Sequence, residues 1–226
     1  MGIEIGEALT KPIDIIQKNP GIMVPAVLPA IASLVFALLV GAMYHRMGLF
    51  MQNPTMLVSF LFTLIIYLII VAVLSLVANG AIVSIAYAEI SGKRIHYMDG
   101  IRDAFEKIVD LVIASIIIVV GVAVGIMLLV VPGLIFALLA MFTIQEIMIG
   151  GKGGIEAIFG SIDLVKANFR NVLVYAIVLF VVVAIISILL DLIPLVGEVI
   201  AALVLTPYTG ISLTIAYTQL KPAEII

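Results

Sequence analysis

Six segments of the sequence are apolar over lengths that would cross a lipid bilayer: residues 22–44, 56–88, 111–131, 132–150, 172–190 and 194–217. A membrane-spanning helix needs about 17–25 mainly apolar residues, because it rises about 1.5 Å per residue through a hydrocarbon core of roughly 30 Å. These runs lack the alternation of a barrel strand, and other backbone structures leave polar groups unpaired in hydrocarbon. The sequence therefore predicts an all-α integral membrane protein with six transmembrane helices.

The composition agrees with this fold class. Apolar residues make up 65% of the chain and charged residues 11%, with a mean hydropathy of +1.39, whereas soluble proteins average about 45–50% and about 25%. Cysteine is absent, and His45 and His96 are the only histidines, so we expect no thiolate chemistry and no cluster of metal ligands. We predict a single membrane domain over residues 1–226, without a metal or cofactor.

The basic residues predict the orientation of the chain. In a six-crossing arrangement, every Lys and Arg except Arg46 falls on the same side as the two termini. The positive-inside rule assigns that side to the cytoplasm, so we expect a multi-pass protein of the cell membrane. The net charge of -3 and the lack of a dense basic run argue against a nucleic-acid partner. The expected partners are the bilayer and a membrane protein, including a second copy of this chain.

An internal repeat divides the chain into three units. An acidic residue followed by alanine, with an aspartate six residues after the alanine, begins each unit, and apolar residues recur around it at helical spacing. This pattern is typical of an amphipathic helix at a membrane interface. We predict three helical hairpins, over residues 1–90, 99–150 and 154–220, each preceded by a cytoplasmic interfacial helix. The copies of the motif are Glu7-Ala8 with Asp14, Asp103-Ala104 with Asp110, and Glu156-Ala157 with Asp163.

Prolines mark positions within these units. Pro54, Pro132 or Pro194 precedes the second apolar helix of each hairpin, a place where the missing N–H is tolerated. Pro12 interrupts the first interfacial segment, so we expect that helix to be short or bent. Because each unit crosses the membrane twice, the units would be related by rotation about the membrane normal. This pseudo-threefold arrangement predicts equivalent depths for Glu89, Glu146 and Gln219 near the cytoplasmic face.

Part of the chain resembles a known family. The resemblance covers mainly residues 125–222 and rests on Val131-Pro132-Gly133, Glu146, Gly151, Glu156-Ala157, Ser161, Leu164-Val165-Lys166, Asn168-Phe169, Pro207, Tyr217 and Leu220. In this order the chain resembles the membrane domain attached to some glycerophosphodiester phosphodiesterases, and many stand-alone polytopic proteins. The soluble catalytic barrel of those enzymes has no counterpart here. The resemblance therefore implies a helical membrane domain of unassigned role, without the phosphodiesterase activity.

Polar residues within the apolar segments are the first candidates for a site. Residues 56–88 would form a helix about 50 Å long, which either tilts unbroken or breaks at Asn79-Gly80; Thr206-Pro207 is a second candidate break. Asn79 and Thr206 could line a polar path. The alternative that we favour for Asn79 is a hydrogen bond between helices, worth about 0.6 kcal/mol.

Acidic residues near the helix ends are the second group of candidates. Glu89, Glu146 and Gln219 could ring a cytoplasmic mouth and attract cations. The alternative that we favour is that they are solvated or paired with Lys93, Arg94 or Lys152. For Asp14, Asp110 and Asp163 we expect a structural role, in which the carboxylate accepts hydrogen bonds from a helix N-terminus.

These features support two hypotheses of function. The first is a non-enzymatic scaffold or accessory subunit that binds lipid or a partner membrane protein, and the scarcity of charge within the apolar segments favours it. The second is a small transporter or channel with a polar path near Asn79, continued by Thr206, Tyr208 and Thr209. Catalysis is disfavoured, because the apolar segments contain no paired carboxylates, histidine cluster or activated nucleophile.

Overall fold

The computed structural model of the chain describes residues 2–45, 54–193 and 196–221, and within these ranges it is helical throughout, without a strand. A short 3-10 turn, Pro20–Met23, precedes the second helix. The ten α-helices are α1 (Ile5–Lys18), α2 (Val24–His45), α3 (Pro54–Ile90), α4 (Tyr97–Glu106), α5 (Ile108–Leu128), α6 (Val130–Leu139), α7 (Thr143–Met148), α8 (Gly154–Ala167), α9 (Phe169–Asp191) and α10 (Val196–Leu220).

Six helical stretches among the described residues are long and apolar enough to cross a membrane. They are α2 with its preceding turn, α3, α5, α6 together with α7, α9, and α10. Large apolar side chains on these helices are exposed, such as Met127 and Phe180, whose exposed fractions are 86% and 73%. Such extensive apolar exposure fits a surface that faces lipid rather than water.

The packed core lies at one end of the bundle. In α3 none of residues 55–72, the described side chains of its first half, is buried, whereas Val77, Ala81, Ile82 and Ile85 are. The main core cluster combines residues of α1, α3, α8, α9 and α10, and α10 packs against α1, α2, α3 and α9. We call the end of the bundle that carries α1, α4 and α8 the short-helix end. Every site described below lies at this end or within the membrane-spanning part next to it.

The first short helix is not shortened by its proline. Helix α1 continues through Pro12 for 14 residues, so the expectation of a short first helix is wrong. Pro12 is buried, and the Tyr208 hydroxyl donates a hydrogen bond of 3.0 Å to the carbonyl of Leu9 in the preceding turn. A proline in a helix interior is costly because it removes a backbone donor; here a side chain supplies a donor nearby. The shortest of the three is instead α4, with 10 residues.

The two candidate breaks are absent. Helix α3 is continuous through Asn79-Gly80. Of the two alternatives for this segment, the long unbroken helix is the one observed. Gly80 serves close packing, since a Cβ there would lie 3.0 Å from the Ala104 Cβ. Helix α10 likewise contains Pro207 without ending. The Thr209 hydroxyl donates to the Leu205 carbonyl at 2.8 Å and to the Thr206 carbonyl at 3.1 Å, beside the proline.

The interruption occurs instead in the second span of the middle hairpin. A turn over residues 140–142 separates α6 from α7. Pro132 is the third residue of α6 and Pro54 the first of α3, both in the first helical turn as expected. Pro194 and Arg46 lie outside the described residues.

Candidate functional site

A buried carboxylate is the centre of a polar cluster at the short-helix end. Glu146, in α7, is 1% exposed and lies 2.9 Å from the Lys152 Nζ and 3.2 Å from the Lys221 Nζ. Lys221 also donates to the Tyr217 hydroxyl at 3.2 Å, and Tyr217 is fully buried. A buried charge is tolerated only when it is paired. Two cations therefore neutralise one carboxylate, and they come from a loop and from the end of α10.

Two glycines make room for this cluster. A Cβ at Gly150 would lie 2.9 Å from the Glu146 Oε2, and one at Gly160 would collide with the Lys152 Nζ. Gly160 belongs to α8, which therefore lies directly against the ion pair. Gly150 and Gly160 thus serve close packing around a buried charge.

The break between α6 and α7 is bridged by a side chain from α8. The Phe142 N–H donates to the Ser161 Oγ at 3.1 Å, and the Ser161 hydroxyl donates to the Leu139 carbonyl at 2.8 Å. Ser161 is fully buried. Irregular backbone at membrane depth persists only where protein groups satisfy it. Ser161 therefore replaces helical hydrogen bonds that the turn has lost.

The far end of α7 is held by a third lysine. The Lys107 Nζ donates to the carbonyls of Ile147 and Met148 at 2.7 and 3.2 Å. The carboxyl end of a helix carries partial negative charge, which cations stabilise. Lys107, Lys152 and Lys221 together hold the end of α7 from three different parts of the chain.

The acid at the end of α3 is also paired. Glu89 accepts a hydrogen bond of 2.7 Å from the Asn19 amide, and its Oε1 lies 3.5 Å from the Arg94 Nε. Arg94 in turn donates to the Lys18 carbonyl at 3.2 Å. This group joins the end of α1 to the α3–α4 connection.

Gln219, near the end of α10, fastens that helix to α1. Its amide donates to the Glu7 carboxylate at 2.8 Å, and its carbonyl accepts from the Glu4 N–H at 2.9 Å. Lys11 donates to the same Glu7 carboxylate at 2.7 Å, and this bond is the main reason that the Glu7 pKa is lowered. The three acid or amide positions that the sequence aligned thus have separate partners.

The three repeated aspartates differ in their contacts. The Asp110 Oδ1 accepts a hydrogen bond of 2.9 Å from the Gly154 N–H, the first residue of α8. Asp110 therefore tethers the start of α8 from the first turn of α5. Asp14 and Asp163 are exposed and form no hydrogen bond within the described part of the chain, so the capping role expected of them has no support there.

A polar cavity brings together two of the residues singled out from the sequence. Asn79 and Thr206 line one cavity of about 160 Å³ between α2, α3 and α10. The Asn79 amide donates to the Ser75 carbonyl within its own helix at 2.8 Å, so no hydrogen bond between helices is seen for it in the described residues. The remaining lining residues are Ala26, Pro29, Ala30, Ser33, Ser75, Ala78 and Ala202.

An apolar pocket lies on the other side of Ala78. It has a volume of about 380 Å³ and is bounded by the start of α2, the middle of α3 and one face of α4. No Asp, Glu, Lys, Arg or His side chain lines it. The lining residues are Val24, Pro25, Val27, Leu28, Leu74, Val77, Ala78, Tyr97, Met98, Ile101 and Phe105.

The sequence could not indicate several of these contacts. Ser161, Lys107 and Lys221 bond to groups 19–75 residues away, and a lone serine or lysine has no local pattern that identifies a distant partner. Spacing did single out Asn79 and Thr206, which line one cavity. The apolar pocket has no sequence signal, because its walls have the composition of any lipid-facing helix.

The described residues contain no group of three or more His, Cys, Asp or Glu side chains that could hold a metal ion. A family model described as "Domain of unknown function (DUF7847)" matches residues 3–220. No curated protein and no solved structure matches the chain.

Proposed function

We propose that the chain, which belongs to this DUF7847 family of unknown function, is a non-enzymatic membrane scaffold or accessory subunit that binds a membrane lipid. The apolar pocket between α2, α3 and α4 is the observation that carries this proposal. A partner membrane protein, including a second copy of the chain, is the other binding partner that the same architecture would accept.

The pocket has the size and chemistry of a ligand site. Its volume of about 380 Å³ falls within the roughly 300–1,000 Å³ typical of small-molecule sites. Its walls are apolar and belong to two candidate membrane-spanning helices and one short helix. A hydrocarbon chain is the apolar molecule that the bilayer supplies to such a pocket in abundance.

Two lysines that precede pocket residues along the chain would attract an anionic headgroup. Lys18 ends α1 and precedes the pocket residue Val24, and Lys93 precedes Tyr97. Both lysines are exposed and form no ion pair within the described ranges. Basic residues at a membrane surface attract anionic lipid through their charge. The lipid that we propose therefore carries an anionic headgroup.

The architecture that we propose is the three-unit arrangement, with both termini in the cytoplasm of a cell-membrane protein. When the acid–alanine pairs are aligned, helices Ile5–Lys18 and Gly154–Ala167 begin and end at equivalent positions. The alanine is fully buried in all three copies, at Ala8, Ala104 and Ala157. Positive residues concentrated at the short-helix end support its cytoplasmic assignment. We also propose that this architecture is similar to the membrane domain attached to some glycerophosphodiester phosphodiesterases.

Photo-crosslinking tests the lipid site. The protein in nanodiscs would receive a phosphatidylglycerol with a diazirine on its acyl chain, and the adducts would be mapped by mass spectrometry. We expect adducts on pocket residues such as Met98 in the wild type. Val27→Trp should abolish them, because the larger side chain fills the pocket. Val35→Trp is the matched control, since Val35 lies on the same helix with similar exposure but outside the pocket. Equal labelling in both variants would reject the site.

Transport of a small solute is the second candidate function. It is favoured by the convergence of Asn79 and Thr206 on one cavity. If the protein is a transporter, proteoliposomes should swell in glycerol faster than empty vesicles, and Asn79→Ala should abolish the difference without lowering the melting temperature. No difference between proteoliposomes and empty vesicles would reject transport of this solute class.

A further inference from the structure

Three hydroxyl groups that line the polar cavity lack the helical hydrogen bond that several other threonines of the spanning helices make. Thr63, Thr209, Thr214 and Thr218 each donate to a carbonyl of the preceding helical turn. In contrast, the hydroxyls of Ser33, Ser75 and Thr206, which line the cavity, form no hydrogen bond to any described residue. The hydrogen bond from Asn79 to the Ser75 carbonyl uses only the amide nitrogen, so the side-chain oxygen of Asn79 has no partner among the described residues either.

The cavity also borders a candidate membrane-spanning helix well before the end of that helix. Asn79 precedes the last residue of α3 by eleven positions, which corresponds to about 16 Å along a helix. Leaving polar groups unpaired at such depth costs free energy, because hydrocarbon offers no hydrogen bonds. The same groups would be satisfied by a guest that both donates and accepts hydrogen bonds.

Two prolines lie in or next to the lining of the cavity. Pro29 lines it and Pro207 follows Thr206 directly. Each lacks an N–H, so the carbonyl four residues earlier, at Pro25 or Leu203, has no helical donor. Two helices that border the cavity thus have incomplete hydrogen-bond ladders.

We propose that this cavity is a binding site for a small uncharged molecule that donates and accepts hydrogen bonds. The guest is uncharged because no ionisable side chain lines the cavity. Its size is set by the volume of about 160 Å³, close to that of an engineered cavity of about 150 Å³ that holds benzene. A cluster of water molecules or a polyol as large as glycerol fits this description. The site does not depend on the lipid pocket or on transport.

The sign of one stability change distinguishes an occupied cavity from an empty one. Thr206→Val keeps the shape of the side chain and removes its hydroxyl. In an occupied cavity the guest loses a partner, so we expect the melting temperature to fall by about 2–4 °C. In a dry cavity the substitution removes an unpaired polar group, so the melting temperature would rise, which would overturn the proposal. Thr214→Val is the matched control, because Thr214 lies on the same helix and its hydroxyl bonds only within that helix.

A spectroscopic experiment separates water from a larger guest. Water-edited solid-state NMR of the protein in lipid would measure magnetisation transfer from water to the Ser75 and Asn79 amides, with and without deuterated glycerol. Fast transfer that glycerol leaves unchanged indicates a water cluster. Fast transfer that falls saturably with glycerol, and not with choline as a charged probe, indicates a polyol site. Transfer no faster than at Ile69, an exposed apolar residue of the same helix, would reject both.

Discussion

At the scale of single residues, a buried ion cluster stabilises the short-helix end. Glu146 is almost completely buried, whereas Lys152 and Lys221 keep 34% and 17% of their side chains exposed. The carboxylate depends on the lysines, while each lysine retains some access to water. The sequence did indicate Lys152 as a partner, since it follows Glu146 closely along the chain. Lys221 was not predictable, because the fold alone brings the end of α10 beside α7.

Removal of the buried carboxylate should destabilise the protein strongly. Glu146→Leu leaves two cations facing each other without their counter-charge, and we expect a loss of roughly 3 kcal/mol. In a detergent melting experiment this corresponds to about 6–12 °C. Glu106→Leu is the control, because Glu106 forms an exposed ion pair with Arg102, which contributes little. A similar small shift for both variants would contradict the described burial.

The contact between α1 and α10 should depend on pH through Glu7. Its pKa is lowered, chiefly by the hydrogen bond from Lys11. A carboxyl whose pKa is lower in the folded state stabilises the fold above its unfolded pKa, and this stability is lost as the pH falls through the folded value. We therefore expect the melting temperature to fall more for the wild type than for Glu7→Gln as the pH drops below about 4.5. Equal pH dependence in the two proteins would show that Glu7 does not contribute.

At the scale of secondary-structure elements, the fold differs from the sequence-based expectation in where the helices are interrupted. Spans and their order follow from apolar length, and all six are found among the described residues. Proline and glycine marked Asn79-Gly80 and Thr206-Pro207 as candidate breaks, yet both helices continue. Gly80 packs against Ala104 of a neighbouring helix, and the Thr209 hydroxyl bonds to carbonyls of its own helix beside Pro207. The real break over residues 140–142 has neither residue type. Ser161, in another helix, bonds to the backbone on both sides of it.

Ser161 should therefore control the stability of the α6–α7 break. Ser161→Ala leaves the Phe142 N–H and the Leu139 carbonyl unpaired in a buried setting, so we expect a loss of about 1–3 kcal/mol. Hydrogen exchange at the Phe142 amide should accelerate in the same variant. The control is Ser115→Ala, because the Ser115 hydroxyl bonds only within α5. Unchanged exchange at Phe142 would contradict the bridging role of Ser161.

At the scale of the whole molecule, two cavities of opposite chemistry share Ala78 as a lining residue. The apolar pocket lies between α2, α3 and α4, and the polar cavity lies between α2, α3 and α10. The sequence predicted that Asn79 and Thr206 were unusual, since polar residues at membrane depth are few. It could not predict either cavity, because a cavity depends on how closely helices approach. Membership in a family of unknown function leaves the activity to be established by measurement.

Native mass spectrometry of the protein, released gently from its own membrane, tests lipid binding most directly. The account predicts an anionic phospholipid retained by each chain, lost in Val27→Trp and kept in Val35→Trp. A bare chain, or a chain that retains a protein partner without any lipid, would contradict the proposed role of the apolar pocket.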